Sequence, residues 1–365
     1  MKRKWLSVLL AMTLAVGILS GCQSAAEPAQ DTEAQAEEEQ QEESETGQTE
    51  ENEAEQPEEN GESQPEQSDE VTVRIAALKG PTTMGLVKLW HDQDEGTAKG
   101  DYEFQMMTGA DEIMPQLIKG DIDIALLPAN AAAVLYQKSE GAVEVIDINT
   151  LGVLYLVSGQ DSVGSVEDLK GKTIYLTGKG TTPDYALQYL LAQHNVELSD
   201  VKLEYKSEAT EVAVLLKENP DSIGLLPQPF VTAACAQNEA LSVVMDLNEE
   251  WEALNDGKGI VTGVTVVRKA FLEEHPEAVA LFMEEHKASA EYANTNIEET
   301  AEMVAERGII EKAPIAAKAL PACNITYIDG KEMKDALSGY LAVLFEQDPE
   351  FVGGAEPSDD FYMAD

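Results

Sequence analysis

Two periods of apolar residues alternate along the chain, and the stretch 71–90 shows both of them. Residues 71–77 are β-rich and largely apolar, which is typical of a buried strand. Residues 79–81, Lys-Gly-Pro, end the strand, and apolar residues within 84–90 then recur at roughly helical spacing. The pattern predicts a strand, a tight turn and a helix.

The turn between this strand and this helix is a candidate ligand site. Thr82 or Thr83 is expected to cap the helix, because a hydroxyl accepts an orphan N–H of the first turn. A helix start behind a glycine turn points N–H groups into one crevice, which suits an anion or a hydrogen-bond acceptor. An ordinary connection without a ligand explains the same residues equally well.

Strand and helix patterns keep alternating to about residue 270, and mostly helical patterns follow. Such alternation predicts an α/β fold in which each half is a mostly parallel sheet with right-handed crossovers. Ligands of such sheets lie outside the carboxyl ends of the strands. The predicted strands are 71–77, 102–107, 122–127, 143–148, 151–158, 173–176, 201–205, 222–226, 241–246 and 260–267. The predicted helices are 111–119, 210–218, 230–237, 276–294, 297–307 and 331–345, with two more that end at Lys138 and His194.

The first residues have the features of an export signal. A basic segment, 2–4, precedes the apolar run 6–19, which is too short to span a membrane. Residues 19–22, Leu-Ser-Gly-Cys, resemble a bacterial lipobox, which implies removal of 1–21 and lipid attachment to Cys22. The alternative is a plain secretory signal in which Cys22 is incidental.

Residues 22–70 are predicted to be a disordered acidic tether. They carry 19 acidic residues, no Lys or Arg, and almost no large apolar side chain. Such a segment cannot bury enough surface to offset its ordering entropy. It would hold the folded part away from the extracytoplasmic face of a cell membrane.

The charge balance limits the classes of partner. The formal charge of −45 divides into +3 for the signal, −19 for the tether and −29 for the remainder. A folded part this acidic argues against a nucleic-acid partner. Export would permit a disulfide, but Cys235 and Cys323 are expected to be unpaired, small buried groups.

Two phrases carry a family resemblance. Residues 166–174 read Val-Glu-Asp-Leu-Lys-Gly-Lys-Thr-Ile and open the second half. Residues 264–277 read Val-Thr-Val-Val-Arg-Lys-Ala-Phe-Leu-Glu-Glu-His-Pro-Glu. With the lipobox and the two α/β halves, the chain resembles substrate-binding lipoproteins of ABC importers. Within them it is similar to the nitrate, sulfonate and taurine binders and to the thiamine-precursor binders. The resemblance covers residues 71 to about 341.

The resemblance implies a type II periplasmic-binding-protein fold of two lobes that close on a solute. Lobe 1 is expected at 71–152 and 264–365, and lobe 2 at 156–259. The hinge strands are expected at 152–156 and 260–264. The closed receptor would dock on an ABC permease and deliver a small-molecule solute. No cofactor is expected, and the chain is expected to be a monomer.

The strand ends of both lobes are predicted to line the cleft. Threonine hydroxyls and helix-start amides there can hold a carboxylate, sulfonate or amide. Each lysine either adds a charge or is a solvated loop residue, and Tyr155 either stacks on a ring or packs in the core. The predicted ligand contacts are Lys79, Gly80, Pro81, Thr82, Thr83, Thr108, Ala129, Asn130, Tyr155, Thr177, Gly178, Lys179, Thr181, Thr182 and Gln228.

The predicted solute is small, polar, and neutral or weakly anionic. Related binders often have an acidic residue where this chain has Gln228, so a preference for cations is not implied. Beyond the signal, the only arginines are Arg74, Arg268 and Arg307, and none falls at a predicted cleft turn. A bidentate guanidinium clamp on an oxyanion is therefore not expected.

Enzyme and metal functions find little support in the residues. The cluster at 91–95, His-Asp-Gln-Asp-Glu, matches no metal spacing, and no catalytic motif of the common hydrolase or phosphate-loop types occurs. One competing class is a pyridoxal-dependent pyrimidine-precursor synthase on the same fold, with Lys79 or Lys179 holding the cofactor. The other is a sensor or adhesin lipoprotein that serves no importer.

Overall fold

The computed structural model describes residues 71–160 and 162–364, which form two mixed β-sheets flanked by helices. All of them fall in one compact unit, Pro65–Asp365. The predicted signal, Cys22 and the tether lie outside the described residues. Within the described part of the chain, no helix is long and apolar enough to cross a membrane.

The strands and helices alternate as far as the tenth strand, and helices dominate the rest. The strands are β1 (Thr72–Leu78), β2 (Asp101–Met107), β3 (Ile124–Pro128), β4 (Val143–Leu151), β5 (Leu154–Ser158), β6 (Thr173–Leu176), β7 (Lys202–Tyr205), β8 (Ile223–Pro227), β9 (Ser242–Asp246), β10 (Val261–Arg268) and β11 (Ile325–Ile328). The helices are α1 (Pro81–Met84), α2 (Val87–Asp94), α3 (Ala110–Lys119), α4 (Ala129–Lys138), α5 (Thr182–Gln193), α6 (Ala209–Glu218), α7 (Phe230–Gln237), α8 (Leu247–Leu254), α9 (Lys269–Glu274), α10 (Pro276–Thr295), α11 (Ile297–Glu306), α12 (Ala313–Ala319) and α13 (Gly330–Gln347).

The first sheet has the strand order β11-β4-β10-β3-β1-β2, and the second has the order β7-β6-β8-β5-β9. In the first sheet β1 runs parallel to β2 and β3, whereas β10 runs antiparallel to β3 and β4. In the second sheet β6 runs parallel to β7 and β8, whereas β5 runs antiparallel to β8 and β9. Most strands of each sheet therefore share one direction, as the predicted α/β fold requires. We call the first sheet with its helices lobe 1 and the second lobe 2.

The chain passes between the lobes twice. It leaves β4 for β5 through residues 152–153, and it returns from α8 to β10 through residues 255–260. Residues 154–156 of the first predicted hinge strand belong to β5, and 261–264 of the second belong to β10. The predicted lobe limits are not tested by these contacts and stay predictions.

Most predicted elements are present, and four further elements were not predicted. These are helices α8, α9 and α12 and strand β11, each of which is short and depends on packing against distant residues. The predicted helix over 84–90 is interrupted, since α1 ends at Met84 and α2 begins at Val87. The predicted end of α3 is confirmed by Gly120, which has the left-handed φ of 80°.

A buried carboxylate ties three strands of the first sheet together. Asp123 is fully buried beside β3 and accepts from Arg74 Nε at 2.8 Å and Nη2 at 2.7 Å. Arg268, at the end of β10, donates to the same carboxylate at 2.9 Å. Burial raises the pKa of Asp123. The hydrogen bonds from both arginines together lower the pKa by more than burial raises it, so the net shift is downward.

We predict that Asp123→Asn lowers the free energy of unfolding by about 3 kcal/mol near neutral pH, because it leaves two guanidinium groups without their carboxylate. Chemical denaturation followed by circular dichroism measures this. Since the pKa of Asp123 is lowered by folding, its contribution is complete above the unfolded carboxyl pKa of roughly 4 and declines as the pH falls below it.

Asp94→Asn is the matched control. Asp94 pairs with Arg307, but its side chain is half exposed, so the loss should stay below about 1 kcal/mol. Equal losses from the two variants would contradict the role given to Asp123.

Candidate functional site

The turn after β1 is closed by its own threonines. Gly80 occupies the position before α1 and has the positive φ of 154°, which favours glycine. The hydroxyls of Thr82 and Thr83 both donate to the carbonyl of Leu78. The expectation that one of them caps the helix is wrong, because a threonine inside the first turn reaches back to a preceding carbonyl. At four residues, α1 is also too short to present a dipole.

The corresponding turn after β6 is closed in a similar way. Thr181 stands before α5, and its hydroxyl donates to the carbonyl of Gly178 at 2.6 Å. Asp184, in the first turn of α5, is buried and accepts from the backbone N–H of Gly180 at 2.8 Å and from Tyr205 Oη at 2.7 Å. A carboxylate of the chain itself therefore already lies at this helix start.

The starts of α4 and α5 meet across the two lobes. Thr182, the first residue of α5, is 3% exposed, and its hydroxyl lies 3.4 Å from Asn130 Oδ1 near the start of α4. Because α4 follows β3 and α5 follows β6, this contact joins the carboxyl ends of the two sheets. The strand ends predicted to face each other do so at these two residues.

Helix α13 adds a tyrosine to this meeting point. Tyr340 is 2% exposed, and its ring lies 5.5 Å from that of Trp251 in α8. The Tyr340 hydroxyl makes no well-formed hydrogen bond within the described part of the chain, although the Thr182 side chain lies near enough for a weak one, which lowers its pKa. Burial is the larger effect and raises that pKa. Tyr340 is not among the predicted contacts, and the only signal for it in the sequence is its place in the helical pattern over 331–345.

One asparagine lies between the two connections that join the lobes. Asn248, at the start of α8, accepts from the N–H of Ile260 at 2.9 Å and donates to Glu252 Oε1 at 2.7 Å. Gly152 in one connection and Gly259 in the other both face this side chain, and an added Cβ on either would overlap it. The two glycines therefore allow both connections to approach the same amide.

A chain of buried polar groups runs behind the cleft in lobe 1. The Thr150 hydroxyl donates to Asn149 at 2.9 Å, and Asn149 donates to the Thr265 hydroxyl at 3.1 Å. Thr265 then donates to Asp147 at 2.8 Å, and His286 Nδ1 lies 3.2 Å from the same carboxylate. All five side chains are buried. His286 is thus paired with Asp147 inside lobe 1.

The predicted contacts differ widely in exposure. Ala129, like Thr82, Thr83, Asn130 and Thr182, is buried, whereas Pro81, Thr177, Gly178 and Thr181 are half-buried. Lys79, Thr108 and Lys179 are exposed, with Thr108 bonded to Glu112 at 2.7 Å and Lys179 placed 5.4 Å from the Tyr205 ring. Their contacts with a ligand stay predictions.

Two predicted contacts lie beside the connections. Gln228 is 4% exposed, its N–H donates to the Val153 carbonyl at 2.9 Å, and its Oε1 accepts from the Thr232 hydroxyl at 2.9 Å. Tyr155 is 9% exposed, its hydroxyl lies 3.4 Å from the Ala322 carbonyl, and burial raises its pKa to about 12. The Tyr155 side chain therefore reaches from lobe 2 to lobe 1 and packs between them.

A groove of about 710 Å³ lies elsewhere, at the other edge of the first sheet. Its walls include Val71, Asp101 and Tyr102, which stand at the beginnings of β1 and β2, and Pro276 of α10. In parallel strands the amino ends lie opposite the carboxyl ends, so this groove is remote from the meeting of Asn130 and Thr182. Within the described residues, no group of His, Cys, Asp and Glu is arranged to hold a metal ion.

The two remaining cysteines are unpaired in the structure. Cys235 is half-buried, whereas Cys323 is buried and its thiol donates to the Ala319 carbonyl at 3.2 Å. Burial raises the pKa of Cys323 to about 12. Its thiol is therefore protonated at neutral pH and is a poor nucleophile.

Residues 112–343 match the sequence family described as menaquinone biosynthesis. The match covers more than half of the chain. The chain belongs to this family. A protein from Brucella abortus (strain 2308) that is similar to this chain carries the provisional name of a binding protein. It is 22% identical over 269 residues, which cover 73% of this chain and 81% of the relative.

Solved structures share the fold of this family member. An ABC transporter protein from Parabacteroides distasonis is 25% identical, with a TM-score of 0.68 over 80% of this chain and 98% of that one. The periplasmic aliphatic sulphonate binding protein SsuA from Escherichia coli is 15% identical, with a TM-score of 0.63 over 78% and 95% of the two chains. The predicted two-lobed fold, and its resemblance to binding proteins of ABC importers, are confirmed.

We predict that Gly152→Ala lowers the free energy of unfolding by about 2 kcal/mol, because the new methyl group displaces an Asn248 side chain held by two hydrogen bonds. Thermal and urea denaturation both measure this loss.

Gly164→Ala serves as the comparison. The nearest atom to a Cβ at Gly164 is 3.9 Å away and its φ is not positive, so stability should change by less than about 0.5 kcal/mol. A Gly152→Ala protein as stable as Gly164→Ala would show that the connection does not depend on this contact.

Proposed function

We propose that this protein is an extracytoplasmic solute receptor that captures a small organic molecule between its lobes and delivers it to an ABC importer. The observation that carries the proposal is the contact between Thr182 and Asn130, which joins helix starts at the carboxyl ends of two separate sheets. Ligands of such sheets bind at these ends. In this proposal lobe 1 comprises 71–152 and 264–365, lobe 2 comprises 156–259, and they move about 152–156 and 260–264.

The placement outside the cytoplasm is part of the proposal. The export signal and the lipobox at 19–22 support lipid attachment through Cys22, and the acidic segment 23–70 would act as a spacer. The similarity to a periplasmic sulphonate binding protein and to an ABC transporter protein supports a permease as the partner.

The family description favours one second candidate, an enzyme of menaquinone biosynthesis. Mass spectrometry of a bound small molecule before and after long incubation separates the two functions. A receptor returns the molecule unchanged, whereas an enzyme converts it. The exposed positions of Lys79 and Lys179 give little support to the pyridoxal-dependent alternative, since neither amine lies in an enclosed crevice.

We predict that the cognate solute, at about a hundred times its Kd, stabilises the protein by about 2.7 kcal/mol, because it binds only the folded state. A thermal-shift screen of sulfonates, amino acids, vitamins and pyrimidines measures this. A screen without any stabilising solute would count against the receptor.

Asn130→Ala should weaken binding of any solute found, since Asn130 lies at the meeting of the lobes. Thr97→Ala is the matched control, because Thr97 is exposed, is not a predicted ligand contact, and is bonded within lobe 1 to Asp92. Equal losses of affinity would place the site elsewhere.

We predict that Cys22→Ser releases the protein from the membrane fraction, because the serine hydroxyl cannot accept the lipid through a thioether. Fractionation of cells and labelling with a fatty-acid analogue measure this. Cys235→Ser should leave the protein anchored, since Cys235 is a half-buried thiol of the folded part. Anchoring of the Cys22→Ser protein would contradict the lipoprotein proposal.

A further inference from the structure

The arginine side chains form ion pairs at places other than the meeting of the lobes. Arg74 and Arg268 both bind Asp123 in the first sheet, and Arg307 pairs with Asp94 on the surface. These are all the arginines of the described residues. A guanidinium group is therefore not available to an anion held between Asn130 and Thr182.

The lysines near the lobes offer no buried charge either. Lys79 and Lys179 are exposed, and Lys179 lies over the Tyr205 ring. Lys258 reaches α13 beside Gly339, but it is also exposed and lies close enough to Asp335 to lower the pKa of that carboxyl. Ammonium groups in such positions are solvated and give little stabilisation to an enclosed charge.

The starts of α1 and α5 are also unsuited to an anion. Helix α1 has only four residues, and the start of α5 holds the carboxylate of Asp184, which already accepts the Gly180 N–H. A second negative charge at Thr182 would be repelled by Asp184, two residues further along the helix. Burying a charge without a counter-ion is unfavourable by several kcal/mol.

Neutral donors are what the meeting point does offer. The hydrogen bond of Asn130 at the meeting point uses its side-chain oxygen, which leaves its amide N–H groups for a ligand. Beside the connections, Gln228 likewise uses only its side-chain oxygen. The Tyr340 hydroxyl is buried and makes no well-formed hydrogen bond within the described residues, and buried hydroxyls in this state are rare in folded proteins. The Thr182 side chain lies near this hydroxyl, and the Tyr340 ring packs on the Trp251 ring, so two residues of lobe 2 contact Tyr340.

We propose that the solute captured between the lobes is an uncharged organic molecule that accepts a hydrogen bond from the Tyr340 hydroxyl. A carbonyl oxygen or a ring nitrogen is the acceptor that this chemistry selects. The inference rests on the proposed receptor function, and it separates this protein from a receptor for sulfonates.

The first experiment sorts solutes by charge. Yeast extract of low molecular mass is separated by anion and cation exchange, and each fraction is tested for thermal stabilisation of the purified, dialysed protein. We expect stabilisation by the unretained, neutral fraction. Stabilisation only by the anionic or the cationic fraction would overturn the inference and leave the receptor function intact. No stabilisation by any fraction would count against both.

The second experiment changes one atom of the site. Tyr340→Phe should raise the concentration of neutral fraction needed for half-maximal stabilisation by roughly three- to tenfold, the worth of one hydrogen bond. Without solute the variant should be about as stable as the wild type, because within the described residues the hydroxyl it removes makes at most a weak contact with Thr182. Unchanged affinity, or a large loss of stability without solute, would overturn the role of Tyr340.

Tyr102→Phe is the control with the opposite expected result. Tyr102 is also a buried tyrosine of lobe 1, but its hydroxyl donates to Glu285 at 2.6 Å, at the far edge of the sheet. Removing that hydroxyl should lower stability and leave the affinity for the neutral fraction unchanged. A loss of affinity as large as that of Tyr340→Phe would show that the effect is not specific to the cleft.

Discussion

The side chain of Asn248 is the point on which the relation between the two lobes depends. It fills the space between Gly152 and Gly259, which belong to the two connections, and it bonds to the backbone of Ile260. Since both connections touch one amide of lobe 2, neither can move without changing a contact of the other. A receptor that closes as two rigid bodies requires such coupling, because its lobes must turn together about both connections.

Charge is used to build the scaffold, and the meeting of the lobes is left neutral. The part of the chain beyond the tether has a formal charge of −29, so cations are scarce. Two of its three arginines bind the fully buried Asp123, where the low dielectric makes pairing essential. Recognition between the lobes then falls to hydroxyls and amides such as those of Asn130 and Thr182. These groups select by geometry and hydrogen bonding, not by long-range attraction.

Aromatic contacts hold the lobes in the arrangement described here. Tyr340 of α13 faces Trp251 of lobe 2, and Phe351, in the turn after α13, stacks on Tyr185 of α5 with ring centroids 3.3 Å apart. The C-terminal part of the chain thus reaches lobe 2 although it packs mainly on lobe 1. Aromatic pairs contribute apolar burial and a favourable orientation without requiring charge.

The sequence by itself determined the order of most helices and strands, the division into two α/β halves and positions such as Gly120 that end helices. Each of these follows from local sterics and from apolar periods of two or 3.6 residues. Only the tertiary structure decided that Thr82 and Thr83 fold back on Leu78, and that Tyr340 enters the site. These features depend on which distant segments lie side by side, and the physical reason is that neighbours far apart in sequence leave no period in the chain.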